Sequence, residues 1–348
     1  MEKSKVKKYY FIVFSFSIIV LLLLFFASLY AGRYKFKWLY FWNGLFQREN
    51  YENESKIILN LRLPRTIGAI IIGSSLSLAG YLFQEIFKNK LVSPNLLGVS
   101  NGAGVGAILA ILIGLPILWI SLMSFIFGIV TVICTIFLSK IFNKNTGNLT
   151  FVLAGIIIGS ITSSIIGLIK YIANENTTLP TITFWLLGSL QNINLKMVLP
   201  VLFINSICIL IVFFLIKPIS LLSLGKNASE TKGLNYFLIM SIVIIITTIF
   251  TATSVSISGT ISWVGLIIPH IVRIFIQKIN NGKNYLMAFS LCILWGAIFM
   301  LISDIISRTF TSSEIPISII TGIFGAIIFV ITIIWERLKT NGTNIRNK

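Results

Sequence analysis

The sequence predicts an all-α membrane protein of about ten transmembrane helices, and three observations carry that prediction. Hydrophobic residues make up 56% of the 348 and charged residues only 11%. Apolar stretches long enough to cross a hydrocarbon core of about 30 Å recur from one end of the chain to the other. The period-two alternation of a barrel is missing, and a chain in lipid satisfies its backbone hydrogen bonds only within helices or closed barrels.

The first apolar run, 9–31, follows a basic start (residues 1–8) that carries Lys3, Lys5, Lys7 and Lys8. It is longer than a signal-peptide core and has no small-x-small cleavage site, so a retained span with an inside N-terminus is expected. The stretch 32–63 is polar and basic, and from Gly32 to Asn60 no core of its own is expected. Arg62 and Arg65, in Leu61-Arg62-Leu63-Pro64-Arg65, stand at the start of the second span, 64–86. Spaced i and i+3, they share one helix face at a boundary where arginine is costly to desolvate, which suggests docking of an acidic partner.

The third span, 96–114, is short and carries Gly98, Gly102, Gly104 and Gly106. The fourth lies at 116–139. The fifth, 149–171, has Gly155, Gly159, Ser163 and Gly167 at four-residue intervals, a small-residue ridge that allows close helix approach. The segment 180–190, with Trp185-Leu186-Leu187-Gly188-Ser189, is too short to span and is expected as an external helix at the interface. Spans at 197–216, 236–256, 261–276, 286–307 and 316–335 complete the count. The eighth is again short and contains Pro269, so the third and eighth are expected as tilted or broken helices buried among neighbours.

Ten spans put residues 1–8, 87–95, 140–148, 217–235, 277–285 and 336–348 inside. With Arg273 at the inner end of the eighth span, these hold 18 of the 28 basic residues, as the positive-inside rule asks. The basic external stretch 32–63 is the exception. Residues 1–348 thus read as one transmembrane domain, spans over 9–335, with both termini and the tail 336–348 cytoplasmic. The net charge of +18 needs no nucleic acid, because inner-face lysines beside anionic lipid account for most of it.

Catalytic chemistry has little to work with. The chain has ten carboxylates and one histidine, and only Glu85 and Asp304 lie within apolar runs, both near an edge. His270, after Pro269, reads as a structural hydrogen bonder rather than a metal ligand. Cys134, Cys208 and Cys292 sit in apolar runs as packing residues. No phosphate loop occurs, since Gly225-Lys226 lacks the earlier glycine. Neither an enzyme nor a cofactor or metal site is expected. An ion-driven secondary transporter would need ionisable groups near the bilayer midplane, and only the edge-located Glu85 and Asp304 are available.

Several motifs together resemble one family. Arg62-Leu63-Pro64-Arg65, then Gln84, Asn89, Leu91 and Pro94, then Leu97-Gly98-Val99-Ser100-Asn101-Gly102-Ala103-Gly104-Val105-Gly106 are similar to the permease subunits of iron-siderophore, haem and cobalamin ABC importers. So are Trp185 to Ser189, Trp263 through Pro269-His270 to Arg273, Asp304 to Arg308, and Glu314-Ile315-Pro316. Order and spacing are kept from about residue 60 to residue 335.

The resemblance implies a dimeric permease of a type II ABC importer, with two identical or paralogous subunits around one path. It also implies a separate cytoplasmic ATPase dimer and an extracytoplasmic binding protein. By family position, Arg62, Arg65 and Arg308 receive glutamates of the binding protein, and Asp304, four residues before Arg308, is placed to orient its guanidinium. Leu224, Gly225, Ser229 and Gly233, within 222–234, occupy the position of the ATPase coupling helices. Lys226, Ser229 and Lys232 depart there from the usual acidic residue, alanine and leucine. Asn89 and Leu91 match positions near the cytoplasmic gate, with Lys90 where proline is common. Gly155, Gly159 and Ser163 either pack helices or face the path. The expected cargo is a ferric-siderophore chelate, with haem or cobalamin as the alternative, because selectivity in the family resides largely in the binding protein.

Overall fold

The structure, a computed structural model, describes residues 2–34, 37, 40–42, 51–142, 148–280, 284–311 and 313–346. Parts of the expected loops at 32–63, 140–148 and 277–285, and the extreme ends of the chain, lie outside the described residues. Among the described residues the fold is helical without strands. The elements are α1 (Glu2–Tyr30), α2 (Glu52–Lys56), a π turn (Ile57–Arg62), α3 (Leu63–Phe87), α4 (Val99–Leu112), α5 (Ile117–Phe142), α6 (Asn148–Ile172) and α7 (Thr178–Leu186). They continue as α8 (Leu195–Phe214), α9 (Ile216–Leu222), α10 (Lys226–Glu230), α11 (Tyr236–Ser258), α12 (Val264–Asn280), α13 (Tyr285–Thr309) and α14 (Ile317–Arg346).

Among the described residues, eight helices are long and apolar enough to cross a membrane. The third and eighth expected spans fold as the shorter helices α4, of 14 residues, and α12, of 17. A 3-10 turn, Pro94–Leu97, takes the first residues of the third segment, and Gly98 ends it at φ 78° before α4 begins. The short helix expected at 180–190 is α7. The first helix starts earlier than the apolar run, because the lysine-rich start contains no breaker and lysine and glutamate are good helix formers.

Arg62 and Arg65 do not open a helix. Arg62 closes the π turn and Arg65 follows in the first turn of α3, both inside one continuous helical stretch, Glu52–Phe87. The wider turn accommodates Pro64, whose ring would crowd the carbonyl four residues back in a regular α-helix. The stretch expected to lack a core shares a small one with the end of α1, where Leu29, Phe41 and Ile58 are buried together.

The centre of the bundle is α3. Its most apolar window is 89% buried, against 22% for those of α5 and α6, which present apolar side chains outward as lipid-facing helices do. It packs against α11, α12 and α13. Close approach depends on paired glycines: a Cβ at Gly73 would lie 2.2 Å from the Gly296 carbonyl of α13, and one at Gly80 would lie 1.7 Å from the Gly265 carbonyl of α12. The sequence marks a small-residue ridge on α6 and a glycine-rich third span, and the structure adds these two crossings on α3. Beside α3, α11 buries Thr247, Thr251, Thr253, Ser254 and Ser258, whose hydroxyls donate to carbonyls of the preceding turn. Those polar groups are therefore satisfied within the helix.

Candidate functional site

At the end of the bundle where α1 and α13 finish and α3 starts, three arginines converge. Arg62, Arg65 and Arg308 are 5%, 7% and 4% exposed, and Asp304 is fully buried between two of them. Arg65 donates through Nε to Asp304 Oδ1 at 2.7 Å and through Nη1 to both Glu314 oxygens at 3.0 and 2.9 Å. Arg308 sits with Nε 3.3 Å from Asp304 Oδ2, the expected i,i+4 pair. Its Nη2 donates to the Ser28 carbonyl and hydroxyl at 2.7 and 2.6 Å. Arg62 donates to the carbonyls of Leu29, Tyr30 and Tyr34 at 2.9, 2.5 and 2.6 Å. Between them, Arg62 and Arg308 satisfy the carbonyls of the last turn of α1, where cations are favoured by the helix dipole. The three arginines thus share a neighbourhood, but Arg62 and Arg65 turn to different partners instead of one. A cavity of about 540 Å³ opens beside them, lined by Tyr30 to Arg33, Arg308, Thr309 and Thr311.

At the opposite end, α3 stops at Lys88, which takes φ 49°. The Asn89 side chain accepts from the Leu91 amide at 2.9 Å, an Asx turn that leaves Leu91 62% exposed. Nearby, α10 is bounded by Gly225 (φ 102°) and Gly233 (φ 76°), both left-handed conformations that favour glycine. Ser229, fully buried, donates to the carbonyls of Leu221 and Gly225 at 2.7 and 2.6 Å and so folds α10 back onto α9, while Leu224 stays half exposed. The two segments touch: a Cβ at Gly225 would lie 2.5 Å from Lys88 Nζ. Arg273 of α12 ties the same end together. It donates to Glu85 Oε1 through Nε and Nη2 at 3.1 and 3.0 Å, bonds Gln84, and lies over the Tyr81 ring at 4.6 Å. Ser223 and Tyr285 share a hydrogen bond of 2.6 Å, linking α9 to α13.

The ridge on α6 divides. Gly155 is a packing residue, since a Cβ there would lie 2.1 Å from the Leu96 carbonyl. Gly159 accepts through its carbonyl from Asn101, while Ser163 is exposed and Gly167 has open space beside it. Exposed Asn101, Ser160, Ser163 and Ser164 thus form a polar stripe on an otherwise apolar surface. A second cavity, about 430 Å³, lies between α7 and the neighbouring ends of α4, α5, α8 and α11; Ile111, Ile117, Phe184, Trp185, Gln191 and Met197 are among its lining residues. It is held by backbone ties: the Ser189 amide donates to Ser258, and the Ile317 amide to Gly188, at 2.8 and 3.0 Å. His270 is buried against the Phe329 ring.

The sequence reading missed Glu314 as the partner of Arg65, the Arg273–Glu85 pair, and the contact of Lys88 with Gly225. The available signal for the first was an acidic residue two positions before a proline at the edge of the last apolar run; the other two join positions far apart in the chain and left no periodic trace.

Residues 20–335 match the FecCD transport family. The molybdate import system permease protein MolB of Haemophilus influenzae is 33% identical over 291 residues, 84% of each chain. A probable iron chelatin transport system permease protein of Helicobacter pylori is 33% identical over 300 residues, covering 86% of this chain and 88% of that one. The vitamin B12 import system permease protein BtuC of Klebsiella pneumoniae is 31% identical over 289 residues, 82% and 83% of the two chains. A solved structure described as an inward-facing conformation of a metal-chelate type ABC transporter has a TM-score of 0.81 and 31% identity, covering 92% of this chain and 98% of that one. The match runs from the first apolar helix to the last, and the chain belongs to the FecCD transport family of ABC importer permeases.

Proposed function

We propose that this permease carries a ferric-siderophore chelate across the bacterial cytoplasmic membrane, powered by a separate ATPase dimer and fed by an extracytoplasmic binding protein. In this reading residues 1–348 form one domain of ten spans, with α4 and α12 as the short ones, both termini cytoplasmic, and a second permease subunit completing the path. Arg62, Arg65 and Arg308 then mark the external docking face. Leu224, Gly225, Ser229 and Gly233 form the ATPase coupling segment, and Asn89 and Leu91 stand at the cytoplasmic gate. The polar stripe that includes Ser163, beside Gly159, faces the path, while Gly155 holds α6 to the turn before α4.

The observation that carries the cargo is the lining of the 430 Å³ cavity. It is largely apolar, its polar side chains are neutral, and it contains no lysine, arginine or histidine. A bare oxyanion draws its strongest binding from cationic side chains, and the lining has none. A chelate wraps its metal in an organic shell and needs room, apolar contact and few fixed polar groups. Cobalamin and haem share that character and are the alternative cargo.

The test is uptake in cells that lack this subunit. Loss of one ferric-chelate class, with ferrous iron, molybdate and cobalamin uptake intact, is the expected result. Normal growth on every siderophore with failure on cobalamin or haem would transfer the assignment to the alternative.

A further inference from the structure

Arg65 stands between two carboxylates that hold it differently. Asp304 is fully buried on α13 and takes Nε. Glu314 is the outer partner, with its side chain 17% exposed, and comes from the short connection between α13 and α14. Both Glu314 oxygens crowd onto a single nitrogen, Nη1, while Nη2 is buried without an acceptor among the described residues. The stronger arrangement for a guanidinium and a carboxylate is two parallel N–H···O bonds from two nitrogens, and that arrangement is not used here. The local charge is also unbalanced, with three guanidiniums against two carboxylates. An incoming carboxylate that took Nη1 and Nη2 together would use the guanidinium more fully than Glu314 does, and a 540 Å³ cavity opens beside the neighbouring Arg308.

We propose that Glu314 is an internal stand-in, which occupies Arg65 until an acidic side chain of the binding protein replaces it. This rests on the docking reading and adds a competitor to it. The connection is built for the exchange. Ile315 is pinned by two hydrogen bonds to Ser307, from its amide at 3.1 Å and to its carbonyl at 2.6 Å. The backbone beside Glu314 therefore stays in place while its side chain rotates outward. Phe310, at the start of the same connection, is 78% exposed, and Thr311 and Ser313 are exposed with it. Glu314 thus keeps Arg65 ordered in the resting permease and lowers the affinity of docking.

The experiment uses the assembled transporter in nanodiscs and measures binding-protein affinity across a salt series. Glu314→Gln keeps the size of the side chain and removes its charge. The expected result is association about three- to tenfold tighter than wild type, with a steeper salt dependence. The gain should vanish when the docking glutamates of the binding protein are changed to glutamine. Unchanged or weaker affinity in a variant with wild-type thermal stability would overturn the proposal. If Glu314→Gln does not fold, Glu314→Asp retracts the carboxylate by one methylene and should give a smaller gain; no gain there overturns the proposal equally. The underlying docking reading has its own readout. Changing the binding protein's glutamates to lysine should abolish association with the wild-type permease; if it does not, docking through these arginines fails whatever Glu314 does.

Discussion

At the Arg65 end of the bundle, three guanidiniums and two carboxylates are withdrawn from water and fixed to helix ends; at the Ser229 end, the lysines stay exposed and the shape comes from backbone. The first region is held by partners with directed geometry: Asp304 lies between Arg65 and Arg308, and the last carbonyls of α1 are capped by Arg62 and Arg308. The second is shaped by left-handed Lys88, Gly225 and Gly233 and by an Asx turn at Asn89. Among the described residues, only the Arg273–Glu85 pair resembles the opposite end, and there the arginine has additional partners in Gln84 and Tyr81. Buried charge tied down by directed partners gives a more rigid surface than exposed turns do. Exposed turns with few buried contacts belong to the low-stability end of a fold, where moving parts are found.

Charge removal should separate the two regions most sharply. Asp304→Asn leaves Arg65 and Arg308 short of their shared counter-ion inside the protein, and breaking a buried pair costs about 3–5 kcal/mol. Glu85→Gln should cost less, about 1–2 kcal/mol, because Gln84 and the Tyr81 ring still hold Arg273. Thermal unfolding in one detergent ranks the two. Equal losses would mean that the two ends are built alike.

An effect on stability no larger than that of Glu85→Gln, but a larger one on coupling, is expected at Gly233. Its φ of 76° strains any L-residue by about 1–2 kcal/mol, although a Cβ there meets nothing within 4 Å. Gly233→Val should therefore fold and insert, yet present a distorted segment to the ATPase. ATP hydrolysis in the assembled transporter should continue without matching transport. Normal transport at the normal ratio of ATP to cargo would remove the coupling role.

The long helices were legible because lipid demands runs of apolar residues that are visible one residue at a time. The positions of the short ones were legible too, from Gly98 to Gly106 and from Pro269. Where the helices begin was less so. The π turn that ends at Arg62 depends on how Pro64 is accommodated, and nothing in Leu61-Arg62-Leu63-Pro64-Arg65 distinguishes a helix start from a widened turn. The arginines themselves were found by motif, but their partners were not, because Arg65 meets Asp304 and Glu314 across some 240 residues of chain. Helix crossings at Gly73 with Gly296 and Gly80 with Gly265 escaped for the same reason: the partner glycines lie far along the chain on α13 and α12, and only the packed bundle pairs them.

The most direct test of the account is transport by the purified chain in proteoliposomes, with and without its partner ATPase and binding protein. The account predicts that the chain alone neither hydrolyses ATP nor moves the chelate, and that all components with internal-face ATP accumulate it. Accumulation by the chain alone, driven by a proton or sodium gradient, would contradict it.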